Sequence, residues 1–392
     1  MAVTTASDFD GALAGARADA RDAVWPLWFA LGSSLAAAFG VHWDIAWHRS
    51  IGRDAFWTPP HVAIYTAAVL AAVAALAQII PATFGDRRGH AAAAAVRVLG
   101  FRGPLGAFIS AWGGVTMLAS APFDDWWHNA YGLDVKILSP PHIVLALGLM
   151  ALHLGALVML TGAANRSEGA GRRRVEVLIL VVGGNFVVAL MTLFMEKTVR
   201  PFMHGGAFYV LVGLCVPVVL GAVGGATGRR WAGSWAIAAY SIFLLALLWT
   251  FPLVPAQPKL GPVLVPVTSL VPPEFPLLLL PAALALDAWT WRRRGRPGLA
   301  TVAGGGVLFT AIFFACQWPF ATFLMSPHAR NFFWGARYFD FWMSPFTHYR
   351  RYLFIEEAGW ATAVGVLAAV VGSGLSIGAG RAIGRWLARL RR

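Results

Sequence analysis

The stretch Trp43–His61 reads W-D-I-A-W-H-R-S-I-G-R-D-A-F-W-T-P-P-H, with two histidines and two aspartates in an otherwise apolar chain. The chain repeats this pattern at Asp124–His142, which reads D-D-W-W-H-N-A-Y-G-L-D-V-K-I-L-S-P-P-H. The spacing is D-x3-H-x12-H in the first copy and D-x3-H-x13-H in the second. The matched positions are Asp44 with Asp124, His48 with His128, Gly52 with Gly132, Asp54 with Asp134, and His61 with His142.

Each copy predicts the end of one helix and the start of the next. Residues four positions apart lie about one turn from each other on one helix face. Proline suits the first turn of a helix, so each Pro-Pro-His end predicts a new helix start. We therefore predict two helical hairpins, each able to hold a metal ion. The predicted metal ligands are Asp44, His48, His61, Asp124, His128 and His142.

The composition is that of a membrane protein. The chain has 392 residues, of which 58% are hydrophobic and 12% are charged, and its mean hydropathy is +0.65. Soluble domains average about 25% charged residues. The net charge of +13 is no argument for nucleic-acid binding, because the arginines cluster in short loops between apolar runs. We predict an all-α, polytopic helical membrane protein.

Ten apolar runs are long enough to predict transmembrane helices. They cover about 25–46, 60–82, 104–122, 140–163, 175–195, 206–226, 231–252, 275–292, 300–324 and 358–380. Arginine clusters precede span one and follow spans two, four, six, eight and ten. With ten spans, all of these clusters fall on one side of the membrane. The positive-inside rule predicts that this side, and both termini, are cytoplasmic. Both metal motifs are then expected on the outer side.

Three regions follow from this order. Residues 1–23 are a polar tail without the features of a signal peptide, and we expect the tail to be cytoplasmic. Residues 24–165 form the four-helix metal-binding region. Residues 166–392 add further transmembrane helices and an outward aromatic loop at 326–356. The only cysteines, Cys215 and Cys316, lie in apolar runs and predict no disulfide framework.

The alternative interpretation of the motifs needs no metal. Aspartate, histidine and tryptophan residues at a membrane interface also cap helices and anchor headgroups, and a duplicated hairpin would repeat them. Two matched copies favour the metal interpretation, because ionisable residues near membrane depth are costly and usually functional. Residues predicted to support the ligands are Asp54, Asp125, Asp134, Glu196, Arg200 and His204. Asp54 and Asp134 also fit helix caps or charge partners of Arg53 and Lys136, and the last three also fit an ordinary interfacial cluster. His42, His90 and His153 are predicted not to be ligands.

The donor atoms limit the choice of metal without deciding it. Two imidazoles and one carboxylate suit copper, zinc, iron or nickel. Neither copy contains a cysteine, which argues against a copper(I) storage site built from soft ligands. Three protein ligands leave coordination positions open, as catalytic sites do. The residues alone therefore predict one or two open metal sites.

The two motifs resemble those of the C subunit of particulate methane and ammonia monooxygenases, the copper membrane monooxygenase family. That subunit carries D-x3-H-x12-H with a second half close to R-D-x-x-F-T-P-x-H, and here the stretch ending at His61 reads R-D-A-F-W-T-P-P-H. The family's second site is N-x3-H-x13-H, where this chain has Asp124, His128 and His142. The resemblance covers about residues 25–165. It implies copper at both triads and O2-dependent hydroxylation of a small, inert substrate.

Three features depart from the family. Asp124 stands where the family has asparagine, which adds a negative charge and alters metal preference. The chain continues for some 220 residues beyond the match. It has no histidine-rich cupredoxin-like domain. These departures indicate a stand-alone or divergent relative, whose substrate need not be methane or ammonia.

We therefore expect a copper-dependent membrane monooxygenase of a bacterial inner or intracytoplasmic membrane, with one or two copper ions per chain on the periplasmic side. The expected partners are lipid, O2, a small apolar substrate and an electron donor, for which a quinol is one candidate. Other monooxygenase subunits and further copies of the chain are candidate partners, and no nucleic acid is expected. The non-catalytic alternative is a copper-binding scaffold subunit or a copper carrier. A third alternative is a zinc or iron site in a membrane hydrolase or hydroxylase.

Overall fold

The computed structural model describes residues 24–52, 55–85, 95–132, 138–259, 267–294, 298–335 and 359–390. These residues contain eleven α-helices, three short 3-10 turns and one β-hairpin. The helices are α1 (Trp25–Ser50), α2 (Pro59–Phe84), α3 (Leu105–Tyr131), α4 (Pro140–Arg166), α5 (Gly169–Leu193), α6 (Met195–Thr198), α7 (Gly206–Thr227), α8 (Ala232–Thr250), α9 (Leu280–Arg292), α10 (Leu299–Met325) and α11 (Trp360–Arg389). The 3-10 turns are Arg200–Phe202, Phe251–Leu253 and Pro327–Ala329, and β1 (Val96–Val98) pairs antiparallel with β2 (Phe101–Gly103).

Eight helices in the described part of the chain are long and apolar enough to cross a membrane. They are α2, α3, α4, α5, α7, α8 with the turn that follows it, α10 and α11. This confirms the prediction of an all-α, polytopic membrane protein. Of the other two predicted spans, α1 has 26 residues but ends in polar ones, whereas α9 has only 13 residues. At 1.5 Å per residue α9 is about 20 Å long, shorter than the roughly 30 Å hydrocarbon core.

The eighth predicted span, 275–292, is wrong in its first part, because the helix begins only at Leu280. Three prolines precede it in the sequence V-P-P-E-F-P, and proline cannot donate a helical hydrogen bond. Residues 270–278 are instead irregular, and side chains of other helices hold the backbone at Leu277 and Leu278. The N–H of Leu277 donates to Tyr240 Oη at 3.2 Å, and the N–H of Leu278 donates to Gln317 Oε1 at 2.9 Å. Irregular backbone at membrane depth requires such partners from the protein.

The first four long helices pack as two adjacent hairpins, α1 with α2 and α3 with α4. A common apolar cluster joins them, with Ala37 from α1, Ile64 from α2, Met117 from α3 and Leu149 from α4. The α3–α4 contact is close because Gly148 lies at the crossing. A Cβ atom at this position would lie 2.8 Å from the backbone nitrogen of Met117. Small residues of this kind allow membrane helices to approach backbone to backbone.

The two hairpins are also joined to the later helices. α4 packs against α5, and α1 also contacts α5. At the other end of α4, the Asn165 amide donates to the carbonyl oxygens of Leu387 and Leu390 at 2.8 Å each. The predicted aromatic loop falls largely on residues 336–358, which lie outside the described residues.

Candidate metal centre

The first motif joins the end of α1 to the start of α2. Asp44 and His48 occupy the last two turns of α1, and His61 lies in the first turn of α2, directly after Pro59 and Pro60. His48 Nε2 lies 3.7 Å from Asp44 Oδ2, and His61 Nε2 lies 3.4 Å from Asp44 Oδ1. The structure therefore brings the three predicted ligands together, with the two histidines facing different oxygens of one carboxylate.

The second motif repeats this arrangement at the end of α3 and the start of α4. Asp124 and His128 occupy the last two turns of α3, and His142 lies in the first turn of α4. The Nε2 atoms of His128 and His142 lie 3.6 and 3.4 Å from the same oxygen, Asp124 Oδ1. One ligand atom from each residue lies within 4.8 Å of the other two. The second triad is thus the more convergent of the two.

The distances within both triads fit metal ligation. All four Nε2–oxygen distances lie between 3.4 and 3.7 Å, whereas a direct N–H···O hydrogen bond is about 2.7–3.2 Å long. Two ligands that each lie about 2.0–2.1 Å from a tetrahedral ion are separated by about 3.3 Å. Copper, zinc and iron accept imidazole and carboxylate donors of this kind. The residues present therefore fit a metal ion with little rearrangement.

The backbone beside His128 orients its ring for ligation. His128 Nδ1 lies 3.0 Å from the carbonyl oxygen of Gly132. Because a carbonyl only accepts, this contact places the hydrogen on Nδ1 and leaves the Nε2 lone pair toward Asp124. The N–H of Gly132 donates back to His128 O at 3.0 Å, and its φ of +84° favours glycine. The matched Gly52 also has a positive φ, +76°.

Both triads open on one cavity of about 360 Å³. Asp44 and His48 line this cavity from the first copy, and His128 and His142 line it from the second. The rest of the wall is mostly apolar and comes largely from α1, α4 and α5, including Val41, Ile45, Leu145, Leu149, Met150 and Val188. A mainly apolar cavity with a few convergent polar groups is the usual form of a small-molecule site.

Of the residues predicted to support the ligands, Glu196 is the one that lines the cavity among the described residues. It belongs to α6. Asp125 lies beside the second triad in sequence, but its carboxylate accepts a hydrogen bond from the Asn129 amide at 3.4 Å on the exposed side of α3. Asp54 and Asp134 lie outside the described residues.

Arg200 and His204 are engaged elsewhere and are not among the residues that line the cavity. Arg200 Nε lies 3.2 Å from Glu274 Oε1, and its backbone N–H donates to Glu274 Oε2 at 2.8 Å. His204 Nε2 lies 3.0 Å from Thr322 Oγ1.

His42 and His153, which the sequence predicts not to be metal ligands, both line the cavity. Neither belongs to a triad. The Nδ1 atom of His42 lies 2.9 Å from Ala38 O, and that of His153 lies 2.8 Å from Leu149 O. His90 lies outside the described residues. The signal for His153 was its spacing, since eleven residues after His142 is about three helical turns on the same face.

The fold and the site together define a polytopic helical membrane protein with a candidate two-site metal centre. Comparisons with protein-family models, with curated proteins and with solved structures return no match.

Proposed function

We propose that this protein is a copper-dependent membrane monooxygenase that oxidises a small or mainly apolar substrate. The observation that carries the proposal is the convergence of Asp124, His128 and His142 beside an apolar cavity, which His128 and His142 line together with residues of the first motif. Such a cavity can hold an apolar molecule beside two metal sites. The resemblance of both motifs to the copper membrane monooxygenases supports copper over the other metals that this donor set accepts.

The chemistry of the donor set is consistent with redox work. Two imidazoles and one carboxylate leave open coordination positions, which a catalytic site requires. When bound, copper in such a site supplies one-electron redox chemistry and a position for O2. The electrons come from a separate donor, and a quinol remains the candidate because the site lies in a membrane protein.

The protein's own residues have separable roles in this proposal. Asp124 offers a negative charge to both histidines of its triad, which offsets the positive charge of a metal ion. The Gly132 carbonyl holds His128 in the tautomer that ligates. The aliphatic wall of the cavity excludes water and binds apolar parts of the substrate, which favours reaction at the metal over side reactions with solvent.

The proposal includes an orientation in the membrane. His142 begins α4 and Arg166 ends it, so the metal centre and the arginine lie at opposite ends of one membrane-spanning helix. Arginine-rich ends face the cytoplasm in most membrane proteins. We therefore place the metal centre on the outer, periplasmic side of a bacterial inner or intracytoplasmic membrane.

The test is the metal content of the purified protein in lipid nanodiscs, measured by mass spectrometry together with copper EPR. We expect one or two copper ions per chain with nitrogen hyperfine coupling. His128→Ala and His48→Ala should each lower the copper content, whereas His328→Ala at an exposed turn should leave it unchanged. Full metal retention in both site variants would refute the ligand assignment. Zinc or iron in place of copper would retain the site and remove the proposed chemistry.

Turnover separates the enzyme from the non-catalytic alternative. A complete monooxygenase should oxidise substrate when the purified protein receives O2 and a reductant, whereas a scaffold subunit should bind copper and remain inactive until partners are added. A copper carrier needs polar groups deep in the membrane. Two such groups have structural roles, since Asn185 donates to Ser34 Oγ at 3.3 Å and Gln317 accepts from the Leu278 N–H. This weakens the carrier alternative.

A further inference from the structure

His153 lies at the inner end of the cavity, and its ring is held in one orientation. The side chain is fully buried within α4. Its Nδ1 lies 2.8 Å from Leu149 O, and its ring stacks on Phe186 of α5 at 5.7 Å between centroids. Because a carbonyl only accepts, the Nδ1 atom carries the hydrogen of the neutral ring. Nε2 is therefore a hydrogen-bond acceptor whose position is set.

This acceptor has no hydrogen-bond partner among the described residues. Buried polar atoms are normally paired, and one left without a partner is costly. His153 also lines the same cavity as residues of both metal triads. His153 therefore brings to the cavity wall a ring nitrogen that the described residues leave without a hydrogen-bond partner.

The positions along α4 give the length of the site. His142, Leu145, Leu149 and His153 all line the cavity, and their spacing of three or four residues keeps them on one helix face. From His142 to His153 the helix rises about 16 Å. The cavity is thus elongated along the helix, with the metal centre at one end and His153 at the other.

We propose that this cavity binds an elongated, mainly apolar molecule whose hydrogen-bond donor, a hydroxyl or an amine, is held by Nε2 of His153. The aliphatic side chains between the two ends pack against the apolar body of the molecule, and its other end lies beside the metal triads. This inference rests on the proposed function only in identifying the bound molecule as the substrate. A metal ion at His153 is the weaker assignment, because no group of three ligating side chains within the described residues includes it.

The test measures the binding of a matched set of probes to the protein in nanodiscs. A decyl alcohol that carries a diazirine is crosslinked by light, and peptide mass spectrometry locates the labelled residues. Unlabelled decanol, decyl methyl ether and decane then compete for the site. We expect saturable labelling near Leu149, Met150 or Val188, with decanol binding about 3- to 10-fold tighter than decane, the range of one buried neutral hydrogen bond. The ether, which accepts but cannot donate, should behave like decane.

Two variants of His153 separate hydrogen bonding from packing. His153→Phe keeps a ring beside Phe186 but removes the acceptor, so the preference for decanol over decane should disappear. His153→Gln can present an oxygen in the place of Nε2 and should retain part of the preference. His328→Phe, at an exposed turn, should leave the preference unchanged.

The inference is overturned if decanol and its methyl ether compete equally in the unmodified protein, a result that needs no variant to fold. It is also overturned if labelling is absent from the cavity. Metal content is measured in the same samples. If the protein never binds metal but still prefers the alcohol through His153, the proposed function is refuted and this binding site is supported. If the protein binds copper but shows no preference for the alcohol, this binding site is refuted and the metal site is supported.

Discussion

Replacing Gly132 with alanine should weaken metal binding at the second triad as well as the fold. Gly132 has a φ of +84° and a ψ of −169°, a region that is nearly restricted to glycine. A Cβ atom there would meet nothing within 4 Å, so the cost comes from the backbone alone and is about 1–3 kcal/mol. If the chain relieves this strain by rotating the peptide, the carbonyl that holds His128 Nδ1 moves away. Loss of such a support typically lowers metal affinity by about 10- to 100-fold.

A matched control is available in the turn between β1 and β2. Gly100 has a φ of +87°, and a Cβ atom there would also meet nothing within 4 Å. Gly100→Ala should therefore also strain the backbone, at a hairpin turn away from both triads. The free energy of unfolding and the copper dissociation constant are measured for both variants in the same membrane mimic.

The expected result is that Gly132→Ala lowers both stability and copper affinity, whereas Gly100→Ala lowers stability alone. Equal copper affinities in the two variants would refute the claim that the Gly132 carbonyl positions His128. A loss of affinity in Gly100→Ala as large as that in Gly132→Ala would show that general destabilisation, not the local hydrogen bond, controls metal binding.

Three further outcomes follow from the packing and the site. When less than one copper ion is supplied per chain, His128→Ala should abolish most copper binding and His48→Ala should not, because the histidines of the second triad converge on one oxygen. Equal losses of copper in the two variants, measured by mass spectrometry, would contradict this. Gln317→Leu leaves the Leu278 N–H without its acceptor and should lower the free energy of unfolding by about 1–3 kcal/mol, with an unchanged copper content as the check on specificity. Gly148→Ala forces a Cβ atom against the α3 backbone and should destabilise by about 1–3 kcal/mol; an unchanged thermal unfolding midpoint would show that α3 and α4 separate freely.

The triads could be predicted from sequence because their geometry is local. Asp44 and His48 lie about one helical turn apart in α1, and the two prolines that begin α2 place His61 close to both of them. Aligning the two copies also pairs Gly52 with Gly132, and both glycines adopt a positive φ where their helices end. Local rules of this kind need no knowledge of how distant helices pack.

Features that depend on packing between distant segments were missed. The apolar run from residue 275 predicted a helix, yet the backbone of Leu277 and Leu278 is not helical, and Tyr240 and Gln317 supply its hydrogen-bond partners from other helices. The sequence has no local signal for those partners. His153 was dismissed because it lies far from the outer edge of the membrane, and only the cavity formed with α1 and α5 connects it to the metal centre.

The two copies of the motif, similar in sequence, differ in geometry, and the difference has a consequence for how metal would be held. In the first triad the histidines face different oxygens of Asp44, and the His48 side chain is 36% exposed. In the second, both histidines face Asp124 Oδ1, and the His128 side chain is 16% exposed. Exposure does not separate the two copies, since His61 is 13% exposed in the first and His142 is 29% exposed in the second. The difference lies in the carboxylate, because two histidines that face one oxygen converge on one point, whereas two that face different oxygens do not. We therefore expect the second copy to bind an ion more tightly than the first, on the wall of the same cavity.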